Sequence, residues 1–307
     1  MNQFLSLGLE ALCAKKIVHE FIEEQTKFLN QQYPADALGQ HFQKSKSTLA
    51  FQFTGVLGVK IYELLHSQAP QKKQSTEIIK RNILYATLND RADNIIDQEK
   101  MTPKESQQFL ESIMDVMFEG RTKTTTDIER KIVLSQAEYS YQQYHKNQSL
   151  PSLKEIYERT VIAIIEESKN TDLEQSIDHA IEVGGCCFLI PAVIAQYSQK
   201  SNDKNTIHAI YNLGGYLKLL DDMIDLNEDL KNNTPTYPVL KIKEQGNTPK
   251  TRQEIMITLE KKAEKLYQEG LSHLKTQHQK EIYTALKQWI DLKHYVFDRA
   301  GNYSKFC

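Results

Sequence analysis

Leu219-Leu220-Asp221-Asp222-Met223-Ile224-Asp225-Leu226-Asn227-Glu228-Asp229 closes a run that otherwise reads as an apolar helix, with Tyr216, Leu217, Leu219, Leu220, Met223, Ile224 and Leu226 as its greasy members. At about 100° of rotation per residue, Asp221, Asp225 and Asp229 fall one above another within an arc of roughly 80°. Two carboxylates about 5 Å apart repel by roughly 3 kcal/mol at an effective dielectric of about 20, so an inward-facing column of three requires cations. Oxygen-only donors select a hard ion such as Mg2+. A solvated acidic face is the alternative for any such helix, and the apolar flanks leave little room for a wet one.

A second cluster has the same character. In Asn89-Asp90-Arg91-Ala92-Asp93-Asn94-Ile95-Ile96-Asp97, the carboxylates of Asp90, Asp93 and Asp97 stand at i, i+3 and i+7, within an arc of about 60°. Two such faces, each near the C-terminal end of an apolar run, predict facing helices that converge on a metal cluster.

Both blocks resemble known motifs. Asp221-Asp222-Met223-Ile224-Asp225, with Asp229 four residues on and Thr234-Pro235-Thr236-Tyr237-Pro238 following, resembles the second aspartate-rich motif of trans-isoprenyl diphosphate synthases. The Asp221/Asp225/Asp229 spacing is similar to the second metal motif of class I terpene synthases. Asp90-x-x-Asp93-Asn94-x-x-Asp97 resembles the first motif of the bacterial large terpene synthases, the tetraprenyl-β-curcumene synthase family, whose second motif reads like Leu220 through Asp229. Phe51, Phe53, Gly55, Gly58 and Tyr62 are a looser likeness to that family's N-terminal region, so the resemblance spans about 44 to 238.

The resemblance implies an all-α fold, one large helical bundle of the isoprenoid synthase type around a central apolar cavity, over the single span 1–307. It implies an allylic prenyl diphosphate as substrate and three Mg2+ ions held by Asp90, Asp93 and Asp97 on one side and Asp221, Asp225 and Asp229 on the other. Asp90, Asp93, Asp221 and Asp225 would then be indispensable to catalysis, with Asn94 and Asp222 among the substrate contacts. Neutralising the leaving diphosphate makes C–O ionisation feasible, and a dry apolar chamber with aromatic faces protects the cation. The outcome is cyclisation, proton loss or attack by a second alkene.

A chain-elongating synthase normally carries a Gly-Lys-Arg near its N-terminus and paired arginines after the first motif; here Gln98-Glu99-Lys100 follows Asp97. That difference favours a terpene synthase over a prenyltransferase. The first motif also lacks an Asp-Asp pair, Asn89 preceding Asp90. A non-catalytic helical subunit that retains the fold is the alternative from another class. A di-iron bundle needs a Glu-x-x-His pair on each of two helices, and only Glu63-Leu64-Leu65-His66 supplies one.

Composition agrees with an all-α chain. Its 307 residues are 40 % hydrophobic and carry only 12 Gly and 8 Pro, within reach of one large bundle. A formal charge of −2 with dispersed lysines gives no nucleic-acid surface. The cysteines, Cys13, Cys186, Cys187 and Cys307, suggest neither a disulfide framework nor a zinc site and read as buried thiols of a reducing compartment. The N-terminus lacks a secretory pattern, and the longest apolar stretch, Cys186 to Ala195, is too short to cross a bilayer. A cytoplasmic protein is expected, and the resemblance allows a homodimer and a peripheral membrane contact for a lipophilic substrate or product.

In order along the chain, periodicity predicts helices from Phe4 to about Gln31, from Leu38 to His66, and from Ser75 through the first aspartates. Others follow from Pro103, capped by Thr102, to Phe118; from Thr126 to Tyr144; from Ser152 to Ser168; and from Asp172 to Tyr197, kinked at Pro191. The metal-bearing helix is read as continuous from Asp203 to Asp229. After it come a polar loop from Lys231 to Pro235, a helix from Pro249 to Leu274 and a last one from Glu281 to Arg299.

Several residues carry two readings. Arg159, on an apolar helix, reads as a buried guanidinium meeting the leaving diphosphate or as the partner of Glu155. Lys44, Lys46, Lys218 and Lys231 are phosphate contacts or exposed lysines. The second helix is read as broken or bent near Gly55 and Gly58, whose small size lets a neighbouring helix or a ligand approach or serves ordinary packing, and the resemblance implies a break near Gly184-Gly185 that exposes carbonyls to substrate. Trp289, Tyr295 and Phe297 line the cavity or simply pack. Arg299 followed by Tyr303 resembles a C-terminal Arg/Tyr pair of bacterial terpene cyclases, with a different spacing.

Overall fold

The structure is a computed structural model that describes the backbone of residues 3–31, 33, 48–145, 150–196 and 203–300, with side chains for these except 3–13, 30, 48–53, 97, 150 and 292–300. Among the described residues there are twelve α-helices and no strand. They are α1 (Gln3–Asn30), α2 (Thr48–His66), α3 (Lys72–Glu99), α4 (Pro103–Glu119), α5 (Ile128–Tyr144) and α6 (Leu150–Glu167). Then follow α7 (Leu173–Ala195), α8 (Lys204–Ile224), α9 (Leu226–Asn232), α10 (Tyr237–Gln245), α11 (Pro249–His273) and α12 (Gln277–Ala300).

The helix starts follow from local capping chemistry. Thr102 and Glu105 form a reciprocal capping box at α4, with Pro103 in the first turn and Gly120 ending the helix at a φ of 65°. Asp127, Asp172, Asp203 and Thr248 cap α5, α7, α8 and α11 by accepting a backbone N–H.

Two starts differ from the sequence reading. Helix α3 begins at Lys72, because Gln74 Oε1 accepts the Gln71 N–H at 2.9 Å while the Ser75 and Thr76 hydroxyls turn back onto the Gln71 and Lys72 carbonyls. Helix α12 begins at Gln277, since Thr276 Oγ1 accepts from the Gln279 N–H at 3.1 Å and Gln279 Oε1 accepts from the Thr276 N–H at 3.2 Å. The segment 38–47, with Lys44 and Lys46, lies outside the described residues.

Two further corrections concern α7 and α10. Helix α7 continues unbroken through Gly184-Gly185 and carries Pro191 inside it. At 23 residues it is long and apolar enough to cross a membrane by length and composition, so the Cys186–Ala195 stretch understates it, yet 67 % of its most apolar window is buried in the bundle. Helix α10 was not anticipated, and Pro238 stands in its first turn.

Helices α7 and α8 run antiparallel and cross at glycines. A Cβ on Gly184 would lie 2.6 Å from the Lys218 Cβ, and one on Gly214 would lie 2.8 Å from the Phe188 Cβ, so the two backbones meet with no room for side chains. Gly58 is likewise held by packing, a Cβ there standing 2.8 Å from the Asn82 Cγ on α3.

One buried glutamine ties three helices together. Gln279, at the start of α12, donates to the Leu64 carbonyl in the last turn of α2 at 3.0 Å and to the Thr206 hydroxyl in the first turn of α8 at 3.2 Å. Helix α2 turns over the short segment 67–71 into α3.

Candidate active site

The second motif keeps its stacking although its helix does not run straight through. Helix α8 ends at Ile224, and α9 starts at Leu226 after Asp225, at φ −81° and ψ 2°. The Asp225 N–H still donates to the Asp221 carbonyl at 2.9 Å, and the Asp229 N–H to the Asp225 carbonyl at 2.8 Å. The i, i+4 ladder thus passes through the joint, and the correction to the expected single helix is confined to one residue. The loop expected from Lys231 shrinks to 233–236, with Asn233 left-handed at a φ of 60°.

Burial and charge single out the side chains of this end. Asp222 is only 2 % exposed. Lys218, one turn earlier, donates to its Oδ1 at 2.7 Å and lies 3.5 Å from Glu167 Oε1 at the end of α6. Lys218 is thus not the exposed lysine of one reading, for its side chain is 15 % exposed and engaged by two carboxylates. Glu167 escaped the sequence reading; its signal was helix phase, since Ile156, Thr160, Ala163 and Glu167 form one inward stripe on α6.

The carboxyl groups are short of positive charge. Burial, reinforced by the charges of Asp229 and Glu228, pushes Asp225 up to about 6. Burial, with Asp222 adding repulsion, pushes Asp229 up to about 7, against the Lys218 charge and a Thr236 hydroxyl that donates to its Oδ2 at 3.2 Å. Glu167 is also raised by burial, with Lys218 opposing. Glu167 Oε1 and Asp222 Oδ2 are buried without a hydrogen bond. A partly desolvated, all-oxygen stack of Asp221, Asp225 and Asp229 with a charge deficit fits a hard divalent cation. Among the described residues, no three His, Cys, Asp or Glu side chains converge as a ready-made metal group.

The first motif sits at the end of α3. Asp90 is half-buried, while Asp93 and Asn94 are exposed, and the Asn94 amide donates back to the Asp90 carbonyl at 2.6 Å. The Asp97 side chain lies outside the described residues. Next to this motif the Tyr157 hydroxyl of α6 donates to Asn89 Oδ1 at 3.0 Å, with the Tyr157 ring packed on Tyr85 and Phe118. The buried Arg91 guanidinium is pulled down to about 9 by burial, against the charges of Asp90 and Glu129.

Other expected contacts are placed differently. Arg159 is not a buried guanidinium: its side chain is 48 % exposed, on the outward stripe of α6 with Glu155, Ile162 and Glu166. Its anion is Glu182 on α7, gripped from Nε at 2.5 Å and from a terminal nitrogen at 3.0 Å, rather than Glu155. Arg159 lines a surface groove of about 400 Å3 with these residues and His179. Lys231 is exposed in the last turn of α9. Glu63, of the lone Glu-x-x-His pair, accepts from Lys60 at 2.8 Å. The side chains of Tyr295, Phe297 and Arg299, and Tyr303 altogether, lie outside the described residues; Trp289 packs against the core half-buried.

Over 94 % of its length the chain superposes on 97 % of a putative geranylgeranyl pyrophosphate synthase from Corynebacterium glutamicum, with a TM-score of 0.59 and 14 % identity. Over 91 % it superposes on 94 % of a cucumene synthase variant, with a TM-score of 0.54 and 7 % identity. The fold is that of the class I terpenoid synthases. Within this terpenoid synthase fold, the chain keeps its all-α architecture across nearly the full length of both relatives. No protein-family model and no curated protein sequence matches the chain.

Proposed function

We propose that the chain is a Mg2+-dependent class I terpene synthase, which ionises an allylic prenyl diphosphate and closes or deprotonates the resulting cation. The observation that carries this reading is the stack of charge-deficient carboxylates, Asp225 and Asp229 in line with Asp221, in a fold shared with a terpene synthase and a prenyl diphosphate synthase. Asp221, Asp225 and Asp229 with Asp90, Asp93 and Asp97 would hold the ions. Bound there, the metal supplies Lewis acidity toward the diphosphate oxygens. The chain's own part is to present carboxylates that are already desolvated and to keep water from an apolar reaction space. Lys231 and Asn94, exposed near the second and first motifs, are assigned to the diphosphate, and the likeness of the Asp90 motif to that of the large terpene synthases supports a terpene synthase of that kind.

A prenyltransferase is the second reading, favoured by the higher TM-score to the putative geranylgeranyl pyrophosphate synthase. The test is incubation with C10 to C25 all-trans prenyl diphosphates and Mg2+, with and without isopentenyl diphosphate, following hydrocarbon products and released diphosphate. Hydrocarbon from an allylic substrate alone is expected. Product only with isopentenyl diphosphate present makes the chain a prenyltransferase, and no diphosphate release from any substrate makes it a non-catalytic subunit.

A further inference from the structure

The acidic end already contains a cation. The Lys218 ammonium lies 2.7 Å from Asp222 Oδ1, on its own helix, and 3.5 Å from Glu167 Oε1, on α6. The side chains of Lys218, Asp222 and Glu167 are 15 %, 2 % and 14 % exposed, so three charged groups are removed from water together. The stem has little freedom to leave: α7 crosses α8 so closely at this point that a Cβ on Gly184 would stand 2.6 Å from the Lys218 Cβ.

We propose that Lys218 is a resident cation of the site, its ammonium standing where Glu167 and Asp222 would otherwise draw a divalent ion, so that these two carboxylates are withheld from the metal ions bound by the neighbouring aspartates. A lysine ammonium is a compact point charge, and two carboxylates offset the cost of burying it. Asp222 Oδ2, buried and without a hydrogen bond, marks the side on which a larger positive charge would be accepted once the ammonium is gone. The consequence is a division of labour inside one Asp-Asp pair: Asp221 is left to the metal, and Asp222 answers to Lys218. This inference rests on the proposed function only in naming the ion Mg2+; counting ions needs no turnover, so a chain without prenyl chemistry can still pass or fail.

The experiment counts Mn2+ bound per full-length chain by equilibrium dialysis in the presence of inorganic pyrophosphate, for wild type, Lys218→Gln and Asp222→Asn. Lys218→Gln is expected to bind one more ion than wild type, and a Lys218→Gln chain that folds only when Mn2+ is added expresses the same replacement. Asp222→Asn keeps the shape and a hydrogen-bond partner for Lys218, and is expected to bind the wild-type number. An unchanged count in folded Lys218→Gln overturns the proposal, as does the loss of an ion in Asp222→Asn. If Lys218→Gln yields no folded chain with or without Mn2+, the Asp222→Asn count alone decides.

Discussion

At Asp225 and Asp229 the native state holds protons that the unfolded chain releases. Their folded values of about 6 and about 7 lie above the ordinary aspartate value of about 3.9. Between about pH 4 and about pH 7 the native state therefore binds more protons than the unfolded one, and stability falls as pH rises through that window. The two groups lie in one cluster, so the loss belongs to the cluster and is on the order of 2–4 kcal/mol. The metal-free protein is expected to melt at a higher temperature at pH 5 than at pH 7.5, with millimolar Mg2+ abolishing the difference. A metal-free Tm that drops on acidification over this range would show that the ladder is not short of positive charge.

The same residues carry the chemistry under the proposed function. Asp90→Ala and Asp225→Ala are each expected to lower turnover on the order of a hundredfold or more with helicity unchanged. Circular dichroism alongside product assay checks this, and full activity in either variant removes that residue from the essential set. The ladder was legible in the sequence because carboxylate spacing is a matter of helix geometry alone. Glu167 and the commitment of Lys218 were not, because the burial of each depends on a neighbouring helix far away in the chain. Arg159 misled for the same reason: Val161 and Ile165 place α6 in the core, but a rotation of about 100° per residue puts Arg159 on the outer stripe with Ile162.

Among the elements, α8 is positioned by its crossing with α7. Gly184→Ala would drive a methyl against the Gly214 backbone and the Lys218 Cβ, neither of which is a flexible side-chain end. Overpacking of this kind costs about 2–3 kcal/mol, which lowers Tm by roughly 5 °C or more. Thermal melts check it; a variant as stable as wild type means that the helices do not touch there. The glycine pairs were visible in the sequence, but whether they broke a helix or let one approach could be read only from what lay opposite. Caps show the opposite pattern. Thr102-Pro103 announced α4 plainly, whereas α3 and α12 start on glutamine side chains, which share the geometry of a capping box without its usual residues.

At the scale of the molecule, all-α character was written in composition and periodicity, but the ties that pack the helices together were not, since they join segments far apart in the chain. Gln279 helps to fix that packing by tying α2, α8 and α12 together. It is 5 % exposed, and Gln279→Ala would strand the buried Leu64 carbonyl, the Thr206 hydroxyl keeping its bond to Asp203, at a cost of about 1–3 kcal/mol. The expected result is a lower urea midpoint with an unchanged m-value; a midpoint equal to wild type removes Gln279 from this role.

Helix α7 brings a different kind of constraint. It is covered by α6 on one flank and by α8 on the other, and α8 lies wholly C-terminal to it. During synthesis its greasy surface therefore leaves the ribosome before the element that shields it, with the proportions of an insertion signal. For that interval the apolar surface of the nascent helix is open to chaperones, and completion of the next helix covers it.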